Sequence, residues 1–361
     1  MKFNILQPLL CVVLFCSCKK DKDKAFTDQI VNDIDSVFTY EPTKFAEGIK
    51  LGVIYKTTNF AAFTDIAYYH NSWYVVFRAG TSHAKGQAGK IKVLKSKDGV
   101  NWKVSHIIAL PDVDLRDPKL TIDTLNDELY MSFFGLSNKQ RRNFLTEYNA
   151  GGSTWSSTET IDIEGDPNSQ HILWRLTYHK NRVYSAAYKP ATSSSEINNN
   201  IGLYESEPRF RRFKPIGRLD LAGDPNEATI RFDSANRMYF IIRTEASNSP
   251  IGISEPPFYH KVKWVPDAFI MRVSSPNFLF YKGKLLITGR DGKTGVFKLF
   301  SYDLKTMKVQ KVYTLPSGKE TGYAGMSFNP DNPDELFVSY YAILPNESVI
   351  YLAKVNMKIF L

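Results

Sequence analysis

Cysteine is scarce in this chain and is confined to its beginning. Only three of the 361 residues are cysteine, and all of them lie within the first 18 positions, at Cys11, Cys16 and Cys18. The chain beyond them cannot form a disulfide, so a folded domain there must depend on core packing. Long apolar runs are also missing after the N-terminus, which excludes a transmembrane helix from that part.

Sequence patterns for metals and cofactors are missing too. The six histidines do not have the spacing of metal ligands, and no loop of alternating acids indicates calcium. There is no Gly-rich phosphate loop and no Ser nucleophile elbow. We therefore expect no metal and no other cofactor. Helical periodicity is limited to Thr27 to Phe38, which favours a fold built from strands.

The first residues have the pattern of a bacterial export signal. Lys2 precedes an apolar run from Ile5 to Phe15, and Leu14 to Cys18 resembles a lipobox. An ordinary secretory signal with incidental cysteines is the alternative, but the restriction of every cysteine to this stretch favours lipid attachment at Cys18. We predict a protein of a Gram-negative cell envelope, anchored by lipid to the outer membrane. The sequence leaves open whether it faces the periplasm or the cell surface.

A spacer follows the predicted lipid site. Lys19 to Lys24 is a run of Lys and Asp, typical of a solvated linker, and it also resembles the surface-export signals of Bacteroidetes lipoproteins. We predict three parts: residues 1–18 as signal peptide, 19–44 as linker and leader, and 45–361 as one domain.

The chain is basic, with a formal net charge of +9. A basic exported protein suits anionic polysaccharide, anionic lipid or nucleic acid as partner. No long basic run is interleaved with exposed aromatic residues, and Arg209 to Lys214 is explained more simply as a strand-edge loop. Nucleic acid is therefore the least favoured partner.

A tight turn lies between two strand patterns at Ser96 to Trp102. Asp98-Gly99 predicts a hairpin corner, because glycine tolerates positive φ and aspartate bonds its own backbone. Ser96 can bond into this turn and Trp102 can fold over it. The order Ser-x-Asp-Gly-x-x-Trp resembles the Asp-box of sialidase-like, BNR-repeat β-propellers, and a degenerate form follows at Tyr148 to Trp155.

Similar strands recur at intervals of roughly 50 residues, which suits four short strands per propeller blade. They end at Arg78, Phe134, Tyr188, Arg243, Arg290 and Tyr341. Each follows another strand across a hairpin, at Asp65 to Tyr69, Lys119 to Asp123, Leu173 to His179, Ala228 to Asp233, Asn277 to Tyr281 and Gly325 to Asn329.

We therefore predict an all-β fold, a single six-bladed β-propeller of the sialidase type over residues 45–361. The last repeat ends with Ile350 to Val355 and lacks an outermost strand. Lys50 to Tyr55 is expected to supply that strand and close the ring. Inner strands of such a ring point their ends at a central pocket, so the Arg and Tyr strand ends are candidate pocket positions.

Two further motifs make the resemblance to sialidase-type exo-glycosidases more specific. Asn226-Glu227 precedes the strand ending at Arg243, and Tyr323 opens the last repeat. That family uses a Tyr nucleophile, a Glu that activates it and an arginine cluster for the sugar carboxylate. The resemblance implies Tyr323 as nucleophile, Glu227 as its base, and Arg243 and Arg290 as clamp residues. A phenol with a pKa of about 10 needs such a base to become a good nucleophile.

The chain departs from that family at two points. It has no Phe-Arg-Ile-Pro motif for the first clamp arginine, and the loop at 80–87, where the family places its acid Asp, has no carboxylate. His83 is the titratable group in that loop suited to proton transfer near neutral pH. Arg78, Arg116 and Arg175 are further candidates for an anionic sugar, although a bracing Arg–Asp pair is the alternative for Arg116.

Three functions remain open at this point. We favour an exo-acting glycoside hydrolase, sialidase-like, that removes a terminal acidic sugar from a glycan or polysaccharide. A polysaccharide lyase on a uronate-containing glycan is the first alternative, with His83 or a Tyr abstracting the C5 proton. A non-catalytic glycan-binding propeller is the second, because the fold hosts many functions. In each case we expect a monomer with a glycan partner and a membrane contact through the lipid.

Overall fold

The computed structural model describes residues 36–84, 88–137, 140–166, 170–190, 201–207, 209–269 and 271–361. The predicted signal peptide with Cys18, and most of the helical pattern at 27–38, lie outside these residues. Among the described residues, no helix is long and apolar enough to cross a membrane.

The described chain is built of strands that follow one another in short antiparallel groups. The N-terminal strands are β1 (Val37–Thr39), β2 (Thr43–Ala46) and β3 (Ile49–Thr57). The first group is β4 (Phe60–Tyr69), β5 (Ser72–Gly80), β6 (Lys90–Ser96) and β7 (Asn101–Ile108). The second is β8 (Asp114–Asp123), β9 (Glu128–Ser137), β10 (Gln140–Asn149), β11 (Thr154–Trp155) and β12 (Glu159–Ile163). The third is β13 (Ile172–Leu173), β14 (Thr177–His179), β15 (Arg182–Tyr188), β16 (Ile201–Ser206) and β17 (Arg212–Arg218).

The remaining strands continue the same pattern to the end of the chain. The fourth group is β18 (Pro225–Phe232), β19 (Met238–Thr244), β20 (Ile251–Ser254) and β21 (Lys263–Val265). The fifth is β22 (Val273–Tyr281), β23 (Lys284–Asp291), β24 (Phe297–Asp303) and β25 (Lys308–Leu315). The last is β26 (Thr321–Asn329), β27 (Asn332–Ile343) and β28 (Ser348–Asn356), followed by a 3-10 turn at Met357–Phe360.

The strands form a β-propeller arrangement, which confirms the all-β prediction, but the blade count differs. Four sheets are separate, with orders β1-β7-β6-β5-β4, β18-β19-β20-β21, β22-β23-β24-β25 and β2-β3-β28-β27-β26. The second and third groups instead share one ten-stranded sheet, because β12 and β17 pair in parallel at Asp162–Arg212 and Ile163–Phe213. The prediction of six separate blades is therefore wrong.

The ring closes as predicted, but the leader contributes more than expected. Strand β3 pairs antiparallel with β28, from Thr57 opposite Ser348 to Ile49 opposite Val355. In addition β1 pairs with β7 and β2 pairs with β3. Residues 37–46, of which 37–44 were predicted to lie in the leader, thus cover the outer edges of two sheets, where unpaired backbone groups would otherwise remain.

The turn predicted at Ser96 to Trp102 forms with the expected chemistry. The Asp98 carboxylate accepts from the amides of Val100 and Asn101, each at 2.8 Å. The Ser96 hydroxyl donates to Asp98 at 2.9 Å and accepts from the Gly99 amide at 2.9 Å. Trp102 is fully buried beneath this corner. These bonds to the charged form hold the pKa of Asp98 far below its ordinary value.

A bulge with one left-handed residue recurs in four of the inner strands. The left-handed residues are Phe63 in β4, Asp117 in β8, Ser275 in β22 and Tyr323 in β26, with φ of 63°, 49°, 50° and 50°. The strand register slips by one residue at each of these sites. A bulge re-aims a side chain and locally ends strand pairing, so these four side chains turn away from their own sheets.

Side-chain hydrogen bonds link the inner strands around the axis. Asp65 accepts from the Leu120 amide at 2.8 Å and from Arg175 at 2.8 Å. The other links are Thr121 to Leu176, Thr177 to Ile230, Thr229 to Pro276, Asn277 to Ala324 and Thr64 to Tyr323. Together they join every group to the next and fix the positions of the bulges above them.

Candidate active site

Tyr323 and Glu227 meet at the centre of the ring, although they come from different sheets. The Tyr323 hydroxyl donates to Glu227 Oε1 at 2.5 Å. The two residues are 96 positions apart in the chain. A phenol at this distance from a carboxylate is set for proton transfer to it.

The other oxygen of Glu227 is held by two donors. The Ser275 amide donates to Oε2 at 2.7 Å, and Arg243 Nη1 lies 3.1 Å from the same atom. With Oε2 occupied, Oε1 is left for Tyr323. Burial alone would raise the pKa of Glu227, but Arg243, the Tyr323 hydroxyl and the Ser275 amide outweigh it and keep that pKa below its ordinary value. Glu227 is therefore ionised and able to accept a proton.

The backbone of Tyr323 is fixed from both sides. Its amide donates to Ser275 Oγ at 3.0 Å, and its carbonyl accepts from Thr64 Oγ1 at 2.9 Å. Gly322 precedes it with φ of 120°, and a Cβ there would lie 2.9 Å from Ser275 Oγ. Glycine is required at this position, because both its backbone conformation and the close approach of Ser275 exclude a side chain.

The Tyr323 phenol keeps its proton until it reacts. Burial raises its pKa well above the ordinary value, and the nearby charges of Glu227 and Asp117 raise it further. A preformed tyrosinate is therefore excluded at neutral pH. Glu227 Oε1 is the base within hydrogen-bond reach of that proton.

Arg243 joins Glu227 to a second carboxylate. Its Nη2 lies 2.7 Å from Glu245, which also binds Arg272 at 2.8 Å. Burial disfavours the charge on Arg243, but Glu227 and then Tyr323 and Glu245 raise its pKa above the ordinary range. A cavity of about 280 Å³ opens beside this cluster, with Tyr188 and Lys189 on its far side.

Arg290 differs from the other predicted arginines. It is half-buried and makes no hydrogen bond or ion pair with any residue that the structure describes. Its charge nevertheless affects the pKa of Glu320 and of Tyr341, so it lies beside both. Of the five arginines predicted to bind substrate, Arg290 has the guanidinium most available to a ligand.

His83 lies at the rim of the site. Its Nδ1 is 2.7 Å from Glu320 Oε2, and 45% of its side chain is exposed. Its ring contacts Phe63 at 5.2 Å between centroids, and Phe63 contacts Tyr323 at 4.7 Å. The Phe63 ring therefore separates His83 from the Tyr323 phenol, and His83 Nδ1 is already bound to Glu320.

Arg78 and Arg116 are both bound by Asp114. Arg78 is 1% exposed and donates to Asp114 Oδ1 from Nε at 2.9 Å and from Nη2 at 2.8 Å. Its third bond goes to the Ser82 carbonyl at 2.8 Å. Arg116 Nε donates to Asp114 Oδ2 at 2.8 Å. One carboxylate therefore compensates both cations, and its bond to Arg116 is an Arg–Asp pair of the bracing kind. Substrate binding by Arg78 and Arg116 stays a prediction.

Arg175 is also committed to the fold. It is 4% exposed and its Nη1 donates to the buried Asp65 at 2.8 Å. Its Nη2 approaches the Ala324 carbonyl at 3.5 Å. Arg175 therefore lies in the hydrogen-bonded ring that links the inner strands, and its contact with substrate stays a prediction.

Two site residues were not predicted from the sequence. Lys119 is 2% exposed, lies 5.4 Å from the Trp174 ring and 5.8 Å from the Tyr323 ring, and donates to the Pro118 carbonyl at 3.3 Å. Asp117 Oδ1 is buried without a hydrogen-bond partner among the described residues. Nothing in the sequence indicates that a bulge at Asp117 leaves that residue half-buried and Lys119 buried.

The titration of both residues is strongly perturbed. Burial raises the pKa of Asp117 to about 6, with Lys119 opposing the rise. Burial lowers the pKa of Lys119 to about 8, with Asp117 opposing the fall. Perturbed acids in a cleft are candidates for proton transfer. Within the described ranges, no group of three or more His, Cys, Asp or Glu side chains is arranged to hold a metal ion.

Comparison with known proteins supports the fold. No family model matches the sequence, and neither does any curated protein. A mutant of Trypanosoma rangeli sialidase displaying trans-sialidase activity superposes with a TM-score of 0.63 at 12% identity, over 89% of this chain and 58% of that one. The chain thus spans little more than half of that sialidase.

Two further solved structures share the fold and have different activities. An α-L-arabinofuranosidase from Fusarium graminearum superposes with a TM-score of 0.59 at 13% identity, over 84% of this chain and 96% of that one. Polysaccharide lyase Uly1 superposes with a TM-score of 0.51 at 9% identity, over 90% and 100%. Identities this low show the fold alone, and these folds serve proteins that act on glycans.

Proposed function

We propose that the protein is an exo-acting glycoside hydrolase, sialidase-like, with Tyr323 as nucleophile and Glu227 as its base. The observation that carries this proposal is the 2.5 Å contact between the Tyr323 hydroxyl and Glu227 Oε1. A tyrosine whose hydroxyl bonds a fixed, ionised carboxylate has the arrangement that nucleophilic catalysis requires.

The catalytic step needs no charge on the nucleophile before attack. The Tyr323 oxygen bonds the anomeric carbon as its proton passes to Glu227, and the glycosidic bond breaks. A neutral phenol approaches an anionic sugar without the repulsion that a carboxylate nucleophile would meet. Since Ser275 and Arg243 hold Oε2, the carboxylate is already oriented, and little reorganisation accompanies the reaction.

We propose a terminal acidic sugar as substrate. Arg290 is half-buried with no bonded partner among the described residues, and Arg243 lies 3.1 Å from Glu227, so these two guanidinium groups are the candidates for a clamp. Phe63, Trp174 and Tyr341 surround Tyr323 with aromatic surface. These three rings are buried, at 2%, 5% and 1% exposure, so they hold the phenol in place, and the clamp would fix the orientation of the sugar.

The decisive experiment is turnover by the domain that follows Cys18 on a panel of glycans carrying terminal sialic or uronic acids. We expect release of a saturated acidic monosaccharide, detected by mass. Tyr323→Phe removes only the hydroxyl, and we expect it to lower kcat/KM by at least about 10³-fold. Tyr351→Phe is the matched control, because Tyr351 lies in β28 away from the site. Full activity of Tyr323→Phe would overturn the proposed mechanism.

The lyase alternative has one observation of its own. His83 at the rim has its Nδ1 2.7 Å from Glu320 Oε2, so a carboxylate orients the imidazole at the edge of the site. A lyase would produce an unsaturated uronate that absorbs in the ultraviolet, which a hydrolase cannot make. An absorbing product lost in His83→Gln but retained in Tyr323→Phe would establish that reading. Saturable glycan binding without any product would instead indicate a binding protein.

We also propose that the domain is held at the outer membrane through a lipid on Cys18. This rests on the lipobox-like residues Leu14 to Cys18 and on the confinement of cysteine to that stretch. Metabolic labelling with a fatty-acid analogue tests it. Label in the natural chain and none in Cys18→Ser is the expected result, and equal labelling of both would refute it.

A further inference from the structure

The site has a nucleophile and a base but no assigned proton donor for the leaving group. The loop at 80–87, where a donor was expected, offers His83, whose Nδ1 is bound to Glu320. Asp117 faces the same space from β8. Strand β8, which carries Asp117, is not adjacent to the strands of the proposed catalytic pair. Strand β4 lies between β8 and β26, which carries Tyr323, and the third group lies between β8 and β18, which carries Glu227. Asp117 therefore reaches the pair only across the central space.

The position of Asp117 follows from its bulge. Its φ of 49° matches the 50° of Tyr323, and both residues interrupt the pairing of their inner strand with the next. The two bulges therefore present Asp117 and Tyr323 in the same way from different strands. A sugar between them would have the nucleophile on one side and a carboxyl group on the other.

One oxygen of the Asp117 carboxyl group is not used by the fold. Its Oδ1 is buried and unpartnered among the described residues, whereas Asp114, three positions earlier, binds Arg78 and Arg116. A buried carboxyl oxygen without a partner costs free energy unless it is protonated or meets a ligand. Asp65, another acid of the inner ring, is bound at Oδ2 by both the Leu120 amide and Arg175.

We infer that Asp117 is the general acid of the proposed hydrolase, donating its proton to the leaving oxygen across the sugar from Tyr323. This inference rests on the proposed function. In the first step the Tyr323 oxygen bonds the anomeric carbon, its proton passes to Glu227, the glycosidic C–O bond breaks, and the departing oxygen takes the proton of Asp117. In the second step water gives a proton to Asp117 and bonds the anomeric carbon, and Tyr323 leaves with the proton held by Glu227.

The charges around Asp117 support this role. On its own strand Lys119 and Arg116 favour the ionised form. Glu227, across the space, favours the protonated form, and His83 when charged opposes it. The balance, dominated by burial, puts the pKa of Asp117 at about 6. The acid is thus protonated in a useful fraction of molecules in mildly acidic solution, and its conjugate base can accept a proton from water.

Other groups near Asp117 are neutral or already paired. Burial raises the pKa of Tyr188, Tyr323 and Tyr341 well above the ordinary value, and the charge of Asp117 raises each of them further. All three phenols therefore stay neutral. Arg78 also feels Asp117, but its guanidinium is bound by Asp114. Because Asp117 must start protonated, we expect kcat/KM to fall as pH rises through about 6.

The test compares leaving groups in Asp117→Asn. With sialic acid as the sugar, the pair of probes is 4-methylumbelliferyl sialoside, whose leaving group needs little protonation, and sialyllactose, whose leaving group needs it. We expect a loss of about 10²–10⁴-fold on sialyllactose and of less than about 10-fold in the first step on the aryl probe. Added azide should restore turnover of the aryl probe and produce a glycosyl azide, because azide needs no base.

Three controls make the result decisive. Asp112→Asn changes an exposed aspartate that also has a left-handed φ, 56°, and should leave both substrates unaffected. His83→Gln should keep the same dependence on leaving group as the natural enzyme. A thermal melt checks folding, and Asn is suited to the left-handed position. The role of Asp117 alone would be overturned by an equal loss of activity on both probes in Asp117→Asn, or by a leaving-group effect that appears in His83→Gln instead. If the natural enzyme turned over no acidic glycan, the proposed function would be overturned as well.

Discussion

Glu227 is the residue on which the site geometry depends. One oxygen accepts from Ser275 and Arg243, and the other accepts from Tyr323. Each donor favours the ionised carboxylate, which therefore stays a base despite its burial. The same carboxylate raises the pKa of the phenol beside it. The low pKa of Glu227 and the high pKa of Tyr323 keep the proton on the phenol in the free protein. In the proposed reaction that proton passes to Glu227.

Lys119 offers a prediction at the scale of single residues. In Lys119→Met the cation that favours ionised Asp117 is gone, so the pKa of Asp117 rises above about 6 and the alkaline limb of kcat/KM moves to higher pH. A pH profile measures this shift. Lys103→Met, on an exposed position of β7, should leave the limb in place. A limb that stays unchanged in Lys119→Met would mean that it belongs to another group.

The same substitution should also change stability. The pKa of Lys119 is about 8 in the folded chain and higher when unfolded, so the folded state disfavours its charge. The destabilisation by Lys119 is absent at a pH above the pKa of this lysine in the unfolded chain. It develops as the pH falls from there and is complete below about pH 8. We expect Lys119→Met to be more stable by roughly 1–3 kcal/mol at pH 7 and about equal at pH 11. Denaturant unfolding at both values checks it.

At the scale of elements, the bulges of the inner strands decide where side chains meet. Strand β26 carries Gly322 and Tyr323 with φ of 120° and 50°, and β22 carries Ser275 with 50°. Ser275 donates its amide to Glu227 and accepts the Tyr323 amide on its hydroxyl. One bulged residue therefore holds both members of the catalytic pair in register.

Gly322→Ala tests that arrangement. A Cβ at this position would lie 2.9 Å from Ser275 Oγ. The fold also holds position 322 at a positive φ, a backbone conformation that is unfavourable for alanine. We expect a loss of about 1–3 kcal/mol in unfolding free energy and a fall in kcat, because Tyr323 moves away from Glu227. Gly151→Ala is the control, since its nearest neighbour is 3.4 Å away and its φ is not positive. Equal behaviour of the two variants would contradict this role of the bulge.

At the scale of the whole molecule, the hydrogen-bonded ring beneath the site replaces disulfides as the link between sheets. Arg175 and Asp65 are 110 residues apart and both are buried, at 5% and 2% side-chain exposure. The ring also runs through Asn277 to the Ala324 carbonyl, directly after the nucleophile. Rigid inner strands follow from these links, and the catalytic residues stand on them.

Arg175→Leu should break this link. Removing one member of a buried ion pair leaves Asp65 charged and uncompensated, so we expect a loss of about 3–5 kcal/mol in the free energy of unfolding. Arg182→Leu removes an arginine from an ion pair with Glu207 whose side chains are 38% and 75% exposed, and should lose less than about 1 kcal/mol. Chemical denaturation compares the two, and similar losses would show that Arg175 has no structural role.

Strand positions were predictable because their signals are local. The alternation of apolar residues and the turn at Asp98-Gly99 act over a few neighbours, and the structure has strands at all six predicted inner positions. The closing strand was predictable as well, since the last group lacked one member. The number of separate sheets was not, because the parallel contact of β12 with β17 joins segments about 50 residues apart through only two pairs of residues.

Sequence alone selected Glu227 and Tyr323 as candidates, since each stands at the entry of a strand in a recognisable motif, and the structure brings the two side chains together. Their catalytic roles stay predictions. Sequence alone could not decide which arginines remain available to a ligand. Arg78 finds Asp114 and Arg175 finds Asp65 only after the ring has closed, and the same closure leaves Arg290 without such a partner among the described residues. The burial of Asp117 is likewise a property of the closed ring: local backbone preferences shape a strand, whereas burial and charge pairing depend on residues brought together from distant parts of the chain.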